Sequence, residues 1–283
     1  MKLALVGLLA VSVGFSADAG YKFAKLDGAR VRYQSHGKGP KAVVLIHGWT
    51  CDASFWDRNI PALSAKYRVI AVDLPGHGGS DKPEVDYTEQ LFARAVDAVL
   101  QKAGVNRAVL VGHSMGAPVV RQFAADDPAK TAGLVLVDGS VTRAGTPEDL
   151  QKRKAQRAPF IASLRTPEFP QVAGKMIDSM FVAGTAPALR TEIKTKMLAT
   201  PRHVAVSAFE GLTDPSMWTP GSGVPTLAIF ADKGRSDANE KLLHELFRDV
   251  EHQEWPGAGH FLMMEQPEKF DSAVLAFLQK IGF

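Results

Sequence analysis

The segment that most constrains this chain runs from Ala108 to Gly116, Ala-Val-Leu-Val-Gly-His-Ser-Met-Gly. Its first four residues are continuously apolar, which predicts a strand buried on both faces. Ala117 to Ala125 reads as a helix. Between the two stands the pattern G-x-S-x-G, centred on Ser114. A strand that turns sharply into a helix holds the middle residue in strained backbone geometry, with its side chain pointing out of the turn. The positions two before and two after are pressed against neighbouring backbone, so Gly112 and Gly116 fit where a Cβ would clash. Pro118 falls in the first helical turn, where a missing N–H costs nothing because those donors are unpaired anyway. A five-residue match arises often by chance. The strand before it and the helix after it give it weight.

The remaining chain supplies more of the same alternation. Tyr21 to Leu26 and Ala29 to Ser35 alternate apolar and polar residues around Asp27-Gly28, predicting an antiparallel hairpin at a sheet edge. Buried strands are expected at Ala42 to Ile46 and Tyr67 to Val72, and further strands at Ala132 to Val137, Val224 to Phe230 and, short, His252 to Trp255. Helices are expected at Ala53 to Ala65, Thr88 to Ala103, Asn239 to Phe247 and Pro267 to Ile281. Strands alternating with helices predict an α/β fold, a mostly parallel sheet covered by helices on both faces. From Val141 to Gly223 no strand run occurs, only helical stretches broken by Pro147, Pro159, Pro167, Pro170, Pro187, Pro201 and Pro215. The expected organisation is therefore a core from residues 20–140 and 224–283, with a helical insertion at 141–223.

The first residues read as a leader. Lys2 is followed by an apolar run from Leu3 to Phe15 and by Ala17-Asp18-Ala19, a small-x-small cleavage pattern. Residues 1–19 are thus expected to be a signal peptide and the protein exported, periplasmic or secreted. The run is short for a membrane span, so no stable membrane anchor is expected. The lone cysteine, Cys51, cannot form an internal disulfide, and its place beside a site loop leaves it open to a thiol reagent. A net charge of +3 and the lack of a basic stripe interleaved with aromatics argue against nucleic acid. The run Lys152-Arg153-Lys154 with Arg157 reads as a solvated helix face.

In such sheets ligands gather at the carboxyl ends of the strands, where every unusual loop of this chain falls. A serine hydroxyl needs a base to take its proton, and the base needs an acid to fix its tautomer. Of the eight histidines, His36, His203 and His244 lie in a turn, the insertion and a helix. His47, His77 and His113 belong to loops whose backbone shape already accounts for them. His260 follows a strand through Pro256-Gly257-Ala258-Gly259 and is the candidate base, in the chain order serine, acid, histidine. Asp138, Asp232 and Asp237 all satisfy that order as the acid. Two backbone N–H groups, those of Met115 and Trp49, are placed to hold a developing oxyanion. No H-E-x-x-H or paired-cysteine spacing occurs, and Gly76 to Gly79 matches no phosphate-binding pattern, so no metal or cofactor is expected.

His47-Gly48-Trp49, Asp73-Leu74-Pro75-Gly76-His77-Gly78-Gly79-Ser80, Gly112-His113-Ser114-Met115-Gly116 and Gly259-His260-Phe261 stand in this order. With these motifs the chain resembles the α/β-hydrolase superfamily over nearly all of its mature length. The resemblance implies that 141–223 is a mobile cap between the sixth and seventh strands. It also implies ester, lactone or related acyl chemistry, since dehalogenases and epoxide hydrolases of that family carry an aspartate where Ser114 stands. The family usually places its acid after the seventh strand in G-x-x-D, but Ala231-Asp232-Lys233-Gly234 has a glycine there. Members that carry the acid directly after the sixth strand match Asp138, so Asp138 ranks first, then Asp237, then Asp232. Trp49, Phe55, Trp56, Met115, Phe261, Leu262, Met263 and Met264 cluster in sequence near the site, and those beside the elbow and His260 are candidates to line an acyl pocket. The expected activity is a carboxylesterase-like serine hydrolase acting on a small to medium hydrophobic acyl substrate. Its rivals are a carbon–carbon bond hydrolase, lactonase or perhydrolase, or a low-turnover binding member of the fold.

Overall fold

The computed structural model describes residues 20–141, 146–212, 222–231 and 237–283. The expected leader, Asp232, and residues 142–145 and 213–221 of the expected insertion lie outside the described residues. Among the described residues, one eight-stranded sheet organises the chain, in the order β1-β2-β4-β3-β5-β6-β7-β8. Its strands are β1 (Tyr21–Leu26), β2 (Ala29–His36), β3 (Ala42–Ile46), β4 (Arg68–Val72), β5 (Ala108–His113), β6 (Thr131–Val137), β7 (Thr226–Ala231) and β8 (Val250–Trp255). β2 runs antiparallel to both its neighbours, and the pairs from β4 to β8 are parallel. Asp27 and Gly28, both at positive φ, make the tight turn between β1 and β2. Every residue of β3, β5, β6 and β7 is buried, as strands covered on both faces require.

Helices cover both faces. They are α1 (Ile60–Ser64), α2 (Glu89–Ala103), α3 (Gly116–Asp126), α8 (Asp237–Leu246), α9 (Leu262–Glu265) and α10 (Pro267–Lys280). α2 packs against α3, and α1 against α10. The apolar stripe of α2 buries Phe92, Ala95, Val96, Val99 and Leu100, while Leu91 is half-buried at its edge. Among the described residues, four helices stand between β6 and β7: α4 (Pro147–Leu164), α5 (Phe169–Asp178), α6 (Pro187–Leu198) and α7 (Arg202–Gly211). Pro147, Pro170 and Pro187 occupy first turns, where no N–H is needed.

Three expectations change. The single helix expected over 53–65 is a 3-10 turn, Ala53–Trp56, followed by α1. Pro61 in the first turn of α1 lacks the N–H and the room to continue a helix from before it. Pro159 does not break its helix but sits inside α4. Pro159 and Ala155, whose carbonyl loses its partner, are both exposed, so solvent can satisfy that carbonyl. α9 was not expected, being only four residues of apolar sequence before a proline.

The register positions the site. Ile46 of β3 is level with Gly112 of β5, and His113 is level with Val137 of β6. Val137 is in turn level with Ile229 of β7. The residues that follow, His47, Ser114 and Asp138, therefore leave the same edge of the sheet side by side.

Candidate active site

Ser114 lies between the end of β5 and the start of α3 at φ +53. Its N–H donates to the Val137 carbonyl (2.9 Å), which ties the turn to the end of β6. A Cβ at Gly112 would lie 2.2 Å from the Gly116 carbonyl oxygen, and one at Gly116 would lie 2.5 Å from that of Ile46. Neither distance is compatible with a side chain, so both glycines are required by the close approach of backbone. Of the four non-glycine residues at positive φ among the described residues, three are Thr50, Ser114 and Asp138, in the loops after β3, β5 and β6. Strain of this kind gathers where surrounding structure fixes a functional geometry.

The structure brings Asp138 and His260 together. Asp138 Oδ2 is 2.5 Å from His260 Nδ1, and its Oδ1 accepts the Ala231 N–H at 3.0 Å. Both side chains are mostly buried. With Nδ1 donating to the carboxylate, Nε2 is the ring nitrogen left to take up a proton. Asp237 begins α8, and its side chain lies outside the described residues, as does Asp232.

The loops carrying Trp49 and Met115 are fixed by buried hydrogen bonds. His47 Nε2 accepts the Leu74 N–H (3.0 Å), which places the ring hydrogen on Nδ1, donating to the Gly48 carbonyl (2.8 Å). Burial holds this imidazole below its ordinary pKa, so it stays neutral. A Cβ at Gly48 would lie 3.0 Å from the Ser114 Cβ, so the loop passes directly beside the serine. Among the described residues, neither the Trp49 nor the Met115 backbone N–H has a protein acceptor. Two unbonded amides beside a strained serine are a place for a developing negative charge. Asp73 braces the glycine-rich loop from within, accepting from the Ala53 and Gly79 N–H groups and pairing with Arg32.

Three contacts to the His260 loop were not evident in the sequence. His113 Nε2 donates to the His260 carbonyl (2.9 Å), with its ring buried and its pKa pushed down to about 3 by desolvation. Glu265 Oε2 accepts the Gly259 N–H (2.6 Å), and the His260 N–H donates to Met180 of the insertion (3.1 Å). His113 carried a visible signal, since it immediately precedes Ser114. Met180 carried none, because its role comes from a backbone carbonyl.

The insertion reaches these loops elsewhere too. The Trp49 indole N–H donates to Ala205 of α7 (2.7 Å), and Thr200 Oγ1 donates to the Thr50 carbonyl (3.0 Å). Trp56 is core, packed against Phe270 and His113, while Phe261 makes tilted ring contacts with Phe55 and Phe181 and an edge-on one with His260. Cys51 is 2% exposed and burial pushes its thiol pKa up, so the reagent access expected from sequence is absent in this structure. Among the described residues no group of three or more His, Cys, Asp or Glu is placed to hold a metal ion.

A mostly parallel sheet with a strained serine after β5 and a carboxylate–imidazole pair after β6 and β8 defines a hydrolase fold of the α/β type. The chain belongs to the alpha/beta hydrolase family, whose profile matches residues 43–273. Over 145 residues it is 37% identical to the dihydrolipoyllysine-residue acetyltransferase component of an acetoin cleaving system from Cupriavidus necator. That match covers 50% of this chain and 39% of the relative, so the chain spans well under half the length of the first curated relatives it matches. It is 29% identical to a 2-hydroxy-6-oxononadienedioate/2-hydroxy-6-oxononatrienedioate hydrolase from a Pseudomonas species, covering 86% of this chain and 90% of that one. A thermophilic esterase from Thermogutta terrifontis shares the fold, with a TM-score of 0.79 at 23% identity, covering 92% of this chain and 98% of that one.

Proposed function

We propose that the protein is a serine hydrolase that cleaves an ester or related acyl substrate of small to medium hydrophobic character. The observation that carries this reading is the 2.5 Å contact between Asp138 and His260 on loops flanking the Ser114 turn. In this reading His260 Nε2 takes the Ser114 hydroxyl proton as Oγ attacks the carbonyl carbon. Asp138 holds the tautomer and steadies the imidazolium. The Trp49 and Met115 amides receive the oxyanion, each donor contributing about 3 kcal/mol of transition-state stabilisation. His260 returns the proton to the leaving group, and water, activated the same way, clears the acyl-enzyme. The helices between β6 and β7 serve as a cap over the pocket. Buried Trp49, Met115 and Phe261 beside the site favour an apolar acyl group over a charged one.

The likeness to the dienedioate hydrolase along most of the chain supports a second reading. That named compound offers no ester, so its hydrolysis breaks a carbon–carbon bond; the same three side chains would serve. Export of a mature chain starting at Gly20 is part of the proposal, and N-terminal sequencing of the protein from culture tests it.

The deciding experiment is hydrolysis of p-nitrophenyl esters of increasing acyl length by the wild type beside Ser114→Ala. Turnover that disappears in the variant supports the esterase reading, and the length profile sizes the pocket. Wild type no faster than the variant on every ester sinks it and turns attention to carbon–carbon substrates and to ligand binding without turnover.

A further inference from the structure

The backbone at and just before His260 is held from outside the sheet. The His260 N–H donates to the Met180 carbonyl, in the segment between α5 and α6. Gly259, one residue earlier, donates its N–H to Glu265 Oε2 at 2.6 Å. The other oxygen of the same carboxylate, Oε1, accepts the Thr185 hydroxyl at 2.8 Å. Thr185 is 4% exposed and belongs to the same inter-helix segment as Met180. Its hydroxyl oxygen also accepts the Val182 N–H (3.1 Å), so one side chain both shapes the segment and bonds to Glu265. Phe181 packs its ring against Phe261 at 5.9 Å between centroids, and the Arg190 guanidinium lies 5.6 Å from the centroid of the same Phe181 ring. Arg190 in turn donates to the Thr185 carbonyl at 2.9 Å. A Cβ at Gly259 would lie 2.5 Å from Glu265 Oε1, so the glycine is what admits the carboxylate.

Two features make these contacts more than packing. The acceptor of the His260 amide is in the insertion, whereas the acceptor of its ring N–H, Asp138, is in the sheet body. The histidine is therefore suspended between the two parts of the molecule. Carboxylate bonds to a backbone N–H and to a hydroxyl, mostly shielded from water, are also among the stronger and more directional ones available.

We propose that Thr185 and Glu265 are positioning residues which make the 180–185 segment of the insertion part of the mount of the catalytic base. His260 is aligned with Ser114 only while that segment is docked. This rests on the serine hydrolase reading above. The insertion is then pinned at its α5–α6 connection, and substrate access opens elsewhere along it. A catalytic group displaced by about 1 Å loses roughly 10²-fold in rate, so undocking the segment acts on turnover rather than on substrate binding.

The test compares Thr185→Val, Thr185→Ser and Glu265→Gln with the wild type and Ser114→Ala on a p-nitrophenyl ester. Rates are taken per serine titrated with a fluorophosphonate, so that misfolded molecules drop out. Thr185→Val keeps the shape and removes the hydroxyl; kcat is expected to fall about 10- to 100-fold with KM within about twofold. Thr185→Ser restores the hydroxyl and is expected to recover most of that loss, which a purely structural role for the side chain would not predict. If Thr185→Val does not fold, Glu265→Gln carries the same test. It keeps an acceptor for Gly259 and puts an amide N–H₂ against a hydroxyl that now donates, and the same split between kcat and KM is expected. Wild-type kcat per titrated serine in whichever variant folds overturns the proposal and leaves the hydrolase reading standing. Absence of any Ser114-dependent turnover in the wild type overturns both.

Discussion

Asp138 meets two demands with one carboxylate. Its Oδ1 takes the N–H of Ala231 and its Oδ2 faces His260 Nδ1, so the group is held at both oxygens in a fixed rotation. An amide in its place can satisfy only one of these. If its oxygen stays on Ala231, its N–H₂ points at Nδ1 and forces the hydrogen onto Nε2, the nitrogen that must accept from serine. Asp138→Asn is expected to lower kcat about 10⁴-fold with a nearly unchanged melting temperature, read from ester turnover and a thermal scan of the same preparation. Near-normal turnover in this variant, with Asp237→Asn inactive, would move the acid to the loop after β7. The sequence alone left three carboxylates in chain order. Strand register singles out Asp138, because it is one residue past the position level with His113.

At the scale of elements, β5, the Ser114 turn and α3 were legible because every constraint on them is local: apolar run, two glycines and a first-turn proline. Gly112→Ala tests that account. The added methyl meets the Gly116 carbonyl oxygen at 2.2 Å, a backbone atom that cannot move without opening the turn. A loss of at least about 1–3 kcal/mol in urea unfolding is expected, together with slower labelling of Ser114 by a fluorophosphonate. Stability and labelling equal to wild type would mean the turn is not as tight as the structure has it. A milder change, at the start of the helix that packs against α3, gives a scale. Thr88 caps α2 by accepting the Leu91 N–H, and Thr88→Ala should cost about 1 kcal/mol with labelling unaffected. What the sequence hid at this scale were elements set by distant partners. The chain between Ala53 and Ser64 looks helical by composition. Asn59 is instead held by Met263 and Asp271, more than two hundred residues away, and α1 starts only after it.

At the scale of the whole molecule, the alternation of strands and helices made the sheet legible. How the insertion grips the His260 and Trp49 loops was not, because it works in large part through the Met180 and Ala205 carbonyls, which any residue type supplies. The molecule's acid stability follows from buried groups that titrate in opposite senses. His77 and His113 are fully buried, each with one ring nitrogen lacking a partner, and desolvation pushes both down to about 3. In the unfolded chain they titrate near 6.5, so between roughly pH 4 and 6 each binds a proton only when unfolded, and each lowers stability as pH falls. Asp271 runs the other way. Burial raises it to about 6 despite the hydrogen bond from Asn59, so in the same window it binds a proton only when folded and its contribution is lost as pH rises. Each such proton is worth about 1.4 kcal/mol per pH unit. Because Asp271 offsets part of what the buried histidines contribute, Asp271→Asn should steepen the slope of unfolding free energy against pH in this window by up to about 1.4 kcal/mol per pH unit. The variant should also gain on the wild type toward neutral pH and lose that advantage near pH 4. Shifts in half-buried carboxylates such as Asp81 and Glu251 are common to both proteins and cancel in the comparison. Denaturant unfolding of the two proteins at several pH values between about 4 and 6 measures both slopes. Parallel lines would mean that Asp271 ionises in the folded protein much as it does in the unfolded chain.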